Sequence, residues 1–130
     1  MAARLAAAVV LAATASVLVN AVIAAIAHAA GASQQFPPLT PGSYAAATVI
    51  GVLAGALAWQ VVRWRAADPS RVLHRLVPLA VTVSLVPDVI VGLNHSEPGT
   101  SWGAVTALMV MHVAVAAVSV PIFRRFLPLR

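Results

Sequence analysis

The sequence predicts an all-α integral membrane bundle: four transmembrane helices, arranged as two consecutive hairpins in a single domain over residues 1–130, with both termini in the cytoplasm. Three observations predict it. Hydrophobic residues make up 62% of the chain and charged residues only 8%, which leaves too little polar surface for a water-soluble domain of this size. The apolar residues fall into four runs, near 5–30, 44–62, 72–93 and 102–123, each about as long as a bilayer crossing requires. The eight basic residues are all arginines, at Arg4, Arg63, Arg65, Arg71, Arg75, Arg124, Arg125 and Arg130, so they occupy the ends and the central connection. The other two connections carry a single charge, Glu97. Arginine in short loops stays on the cytoplasmic side, which predicts a bacterial cytoplasmic-membrane protein that is N-in and C-in.

The same counts exclude several classes of function. A net charge of +5 suggests nucleic acid, but the arginines are divided among three short segments with no aromatic platform for bases, so no nucleic-acid partner is expected. Their role is orientation, together with contact to anionic headgroups. With no cysteine in the chain, disulfides, thiolate nucleophiles and cysteine-ligated metals are excluded. Alanine excess with arginine in place of lysine points to a high-GC bacterial genome.

The first segment, Leu5 to Ala30, runs on well past the apolar core of a signal peptide despite Arg4 and the sequence Ala13-Thr14-Ala15, so it reads as a retained span. The loop that follows holds Pro37, Pro38 and Pro41, which remove donors and favour an extended, stiff lid. In the second segment Tyr44 is expected at the outer headgroup level and Trp59 and Trp64 at the inner one. Ala47, Gly51 and Gly55 recur at intervals of four, the pattern of a helix-packing seam. Asp68-Pro69-Ser70 ends one helix and starts the next. Segment three is predicted as one helix kinked at Pro78 and Pro87. The fourth starts at an interfacial Trp102 and stops at Arg124-Arg125.

Asp88 most needs explanation, because an ionised carboxylate inside a spanning helix costs at least about 3 kcal/mol on insertion scales. It lies roughly 9 Å below the outer end of its helix, counting about 1.5 Å per residue. Ser84 and His95 fall one turn below and two turns above it on nearly one face. His112 and Asn20 lie at comparable depth on other helices, so Asn20, Asp88 and His112 are expected to form an inward-facing polar cluster with Ser84 and His95 beside it. Such a cluster serves either as interhelical glue or ligand contact, or as an acid/base pair of Asp88 and His112. His28, His95 and Glu97 share the outer end, but their spacing does not match a metal site, and no metal or other cofactor is expected. Two-histidine haem ligation is disfavoured because only His112 is well buried.

Phe36-Pro37-Pro38-Leu39-Thr40-Pro41-Gly42, Ser84-Leu85-Val86-Pro87-Asp88 and the run from Trp102-Gly103-Ala104-Val105 to Met111-His112 together resemble a family of small actinobacterial four-helix membrane proteins of unknown function. The resemblance spans nearly the whole chain and implies the four-helix architecture, but no catalytic residue. A more remote likeness, without a residue-by-residue match, is to the small integral-membrane terpene cyclases, whose embedded carboxylic acids protonate an epoxide or alkene.

Two readings of function follow. In the first, the polar cluster binds a hydrophobic small molecule or locks the bundle, alone, as a homo-oligomer or within a larger membrane complex. In the second, the protein is a membrane-embedded enzyme acting on an apolar isoprenoid or lipid, with Asp88 as proton donor and His112 as its partner. A proton-coupled exporter is disfavoured, since the first segment has no acid and the charge bias allows one orientation only.

Overall fold

The computed structural model describes residues 1–129. It contains α1 (Ala2–Ala29), a 3-10 turn (Pro37–Leu39), α2 (Pro41–Arg65), α3 (Pro69–Ser84), α4 (Val86–Asn94) and α5 (Trp102–Phe126), with no strand among the described residues. Four segments are long and apolar enough to cross a membrane: Ala2–Ala29, Pro41–Arg65, Pro69–Asn94 and Trp102–Phe126. Alternation of the four leaves both termini and the α2–α3 turn at one end, the terminal end, and the other two connections at the opposite, loop end.

The third span departs from its predicted form. It is two helices separated at Leu85, where a single kinked helix was expected. Pro87 has no N–H to return to the preceding turn, and the last turn of α3 closes early: Leu85 donates its N–H to the carbonyls of Val81 and Thr82, both at 3.2 Å. Ser84 adds its hydroxyl to the Val81 carbonyl at 2.6 Å. Pro78 is accommodated inside α3, with Thr82 donating to the Pro78 carbonyl at 2.8 Å.

Helix boundaries follow local chemistry. Asp68 caps α3 by accepting from the Arg71 N–H at 3.0 Å, and Ser101 caps α5 through the Ala104 N–H at 3.1 Å. Pro41 stands at the start of α2, where a missing N–H has no cost. α4 ends at His95 in the left-handed conformation, with φ of 49°.

The closest packing involves α1. Its buried residues are Ala8, Ala12, Ser16, Asn20 and Ala24, one every fourth position, and this narrow stripe rests on α5 and α2. Small side chains let backbones approach closely. α3, by contrast, buries only Pro69 and Leu73. It touches α2 and α5 from the outside of the bundle and leaves a gap between them.

Two apolar cores stand at opposite ends. At the terminal end Trp59 packs against Phe123 at a ring distance of 5.7 Å and donates its indole N–H to the Leu127 carbonyl at 3.0 Å. Trp59 is therefore a core residue, 2% exposed, and not the interfacial anchor expected of it; Trp64, at 59%, does lie at the surface. At the loop end the proline-rich segment folds into the 3-10 turn and buries Phe36 and Leu39 against Ala24, Ala104, Val105 and Met111. The expected extended lid is instead a plug, because Thr40 donates to the Pro37 carbonyl and tightens the turn.

Candidate functional site

The gap beside α3 is a half-open groove of about 790 Å³, walled by α2, α3 and α5. It extends from Tyr44 to Trp59 along α2, a length of about 22 Å at roughly 1.5 Å per residue. Ile50 and Ala80 line it and are exposed, marking its open side. The bottom, at the terminal end, is closed by Trp59, Leu73 and Phe123, with the unpartnered Ser119 hydroxyl one turn above Phe123. At the loop end Pro37, Pro38 and Glu97 form the mouth.

Ala47, Gly51 and Gly55 also line this groove. A Cβ built on Gly51 meets no atom within 4 Å, and one on Gly55 meets only the Phe123 ring at 3.7 Å. The predicted packing seam is thus groove wall: absent side chains here make space instead of contact. The tight approach lies at Gly92, where a Cβ would stand 2.7 Å from the Trp102 ring. That contact clamps α4 to α5. A lone glycine opposite a tryptophan carries no repeat, so no periodicity in the sequence announced it.

Gly92 stands one turn beyond Asp88 on α4, which packs on the α5 that carries His112. Asp88 lies in the first turn of α4, buried, where unpaired N–H groups and the helix dipole favour an acidic side chain. Its Oδ2 is 2.9 Å from His112 Nδ1, with side-chain exposures of 7% and 35%. The same Nδ1 lies 2.9 Å from the Leu108 carbonyl, and the ring N–H is aligned with that carbonyl. Asp88 Oδ2 consequently has a close neighbour but no well-aligned hydrogen bond. His112 is on the groove wall, whereas Asp88 sits behind it and does not line the groove.

The other candidates are distributed differently. Asn20 does line the groove, but its partner is Thr48: Nδ2 donates to Thr48 Oγ1 at 2.9 Å. Thr48 spends its own proton on the Tyr44 carbonyl at 2.6 Å, so the hydroxyl oxygen can only accept and Asn20 must turn its NH2 toward it. Asn20 Oδ1 is left buried without a partner. Ser84 lines the groove but bonds its own helix, and the break at Leu85 takes it off the face of Asp88. His95 is exposed at the end of α4 and joins no cluster. Three of the five predicted polar residues, Asn20, Ser84 and His112, meet the groove; Asp88 supports one of them. Thr48, which sequence reasoning passed over, was signalled by being the sole hydroxyl in the middle of the second apolar run.

His28 sets its ring nitrogens toward the carbonyls of Ala32 and Leu39, at 3.1 and 3.5 Å, and so fastens the loop to α1. Among the described residues no three histidine or acidic side chains gather as metal ligands.

Over residues 1–128 the sequence matches a family of unknown function, DUF6069. The chain belongs to that family. The DUF6069 match covers all four apolar spans and the residues of the groove, so the whole bundle is the family's unit. No curated protein and no solved structure matches the chain.

Proposed function

We propose that this DUF6069 protein is a multi-pass protein of the bacterial cytoplasmic membrane, with both termini inside, whose groove binds a long hydrophobic molecule. In this reading His112, held by Asp88, is the polar contact halfway along it. The observation that carries the reading is the groove: about 790 Å³ lies within the range of small-molecule sites, its walls are mainly apolar, and glycine and alanine of α2 keep it empty of side chains. Side chains of the bundle do not fill this space, and wall atoms without neighbours forfeit dispersion contacts. An occupant restores them.

The arginines at the terminal end support the orientation. The acid/base reading requires Asp88 to reach a substrate, and Asp88 stands behind His112; a proton could pass to the groove only through the imidazole. The geometry therefore favours binding over direct protonation by Asp88.

Gly51→Phe tests the proposal. The new ring enters open space, so the variant is expected to fold normally and to lose binding of a tritiated sixteen-carbon alcohol, measured on the full chain in lipid nanodiscs. Undiminished binding to Gly51→Phe would reject the groove as the site.

A further inference from the structure

The groove is chemically graded, and the gradient assigns a headgroup to its occupant. Its bottom is stoppered by apolar groups: the Trp59 indole N–H is already spent on the Leu127 carbonyl, Leu73 and Phe123 offer only hydrocarbon and ring faces, and the uncharged Ser119 hydroxyl one turn above Phe123 is the single polar group there. That end suits the terminus of a chain. At the mouth the lining turns polar, with Glu97, Ser43 and Tyr44 beside Pro37 and Pro38. Glu97 is the one acidic side chain on the wall, and no arginine lines the groove among the described residues. The seven arginines among the described residues belong to the terminal end, a bilayer's width of about 30 Å from the mouth.

Among the described residues Glu97 consequently has no arginine opposite it. Its nearest ordered neighbour interaction runs through the backbone, where its carbonyl accepts from Thr100, leaving the carboxylate uncommitted: among the described residues the only pairing of a basic with an acidic side chain is His112 with Asp88. A partly buried carboxylate facing an apolar channel attracts a positive headgroup and repels a negative one, more strongly than in open water because the channel walls lower the local dielectric.

Building on the groove as a binding site, we propose that its occupant is an amphiphilic cation: a long hydrocarbon chain with an amine or quaternary ammonium group, inserted tail first toward Trp59 with its charge at Glu97. Anionic amphiphiles, such as fatty acids and polyprenyl phosphates, are excluded from that pose. His112 then faces the middle of the chain and selects for a polar or unsaturated group there.

The test compares three tritiated probes of equal chain length on the full chain in uncharged nanodiscs: hexadecyltrimethylammonium, hexadecanol and hexadecanoate. Groove binding is the part of each signal that Gly51→Phe removes. The expected order is ammonium tighter than alcohol by roughly fivefold, the upper range of a partly exposed ion pair, and alcohol tighter than carboxylate. Glu97→Gln is expected to bring the ammonium to the level that the same variant shows for the alcohol, with an unchanged melting temperature in detergent reporting that the variant is folded. Raised salt is expected to shrink the preference. Equal affinities, a carboxylate preference, or an order unchanged in Glu97→Gln would overturn the headgroup assignment and leave the groove standing. If no probe shows a signal sensitive to Gly51→Phe, groove and headgroup assignment fall together.

Discussion

His112 Nδ1 has two neighbours at 2.9 Å, the Asp88 carboxylate and the Leu108 carbonyl, and one N–H cannot point at both. The alignment with Leu108 leaves Asp88 as an electrostatic neighbour whose hydrogen-bonding is incomplete. An amide fits the same space and supplies an acceptor with two donors, so Asp88→Asn is expected to change stability by under about 1 kcal/mol, whereas Asp88→Leu removes the charge beside an imidazole whose N–H stays on the Leu108 carbonyl and is expected to cost about 1 kcal/mol more than Asp88→Asn. Thermal unfolding in detergent measures both. If Asp88→Asn unfolds as readily as Asp88→Leu, the carboxylate charge itself holds the pair. Glycines give a sharper contrast. Gly92→Leu drives a side chain into the Trp102 ring and is expected to cost more than about 2 kcal/mol, while Gly51→Leu enters open space and gains up to about 1 kcal/mol of helix propensity. Asp88 and His112 were legible in the sequence because polar residues in hydrocarbon have few reasons to exist. Which glycine marks a contact was not, since both glycine roles look alike until the facing side chain is placed.

At the scale of elements, the spans themselves followed from hydropathy, and their number and order needed no further information. The division of the third span did not follow, because Pro78 and Pro87 are equivalent by residue type. Pro78 is carried within a continuous helix whose neighbouring Thr82 satisfies its carbonyl, and Pro87 comes directly after a turn already closed by Leu85 and Ser84. The small-residue periodicity of α2 was likewise read as contact when the contact stripe lies on α1, where alanines are so frequent that the fourfold spacing of Ala8, Ala12, Ser16, Asn20 and Ala24 is hidden among its neighbours. The C-terminal tail belongs to the fold through Leu127, which has no solvent exposure. Leu127→Ala is expected to destabilise by about 2 to 3 kcal/mol, and Trp59→Phe, which removes one hydrogen-bond donor, by about 1 kcal/mol. A tail detached from the core would leave the melting temperature of Leu127→Ala unchanged.

For the whole molecule, the arginine distribution makes orientation directly measurable in a chain that has no cysteine of its own. Single cysteines at Ser33 and Ser101 are expected to react with an impermeant reagent outside intact cells, and one at Ser70 only after lysis; the opposite pattern would invert the bundle. The arrangement also has a history in time. The most extensive helix contact joins α1 to α5, the first span to be synthesised and the last. When the first hairpin is complete, Asn20 already has Thr48 across from it, so the most polar residue of the buried α1 stripe is sheltered early. The α5 side of the stripe must wait until the last span is made, although Ala8 and Ala12 already share a core with Val52 and Ala56 of α2. Until then the part of the α1 stripe that α5 covers is open. Closure between distant parts of a chain is slow, and a nascent protein interrupted after Asn94 is therefore expected to be a short-lived species, recognised by quality-control proteases through an α1 surface that the finished bundle never displays.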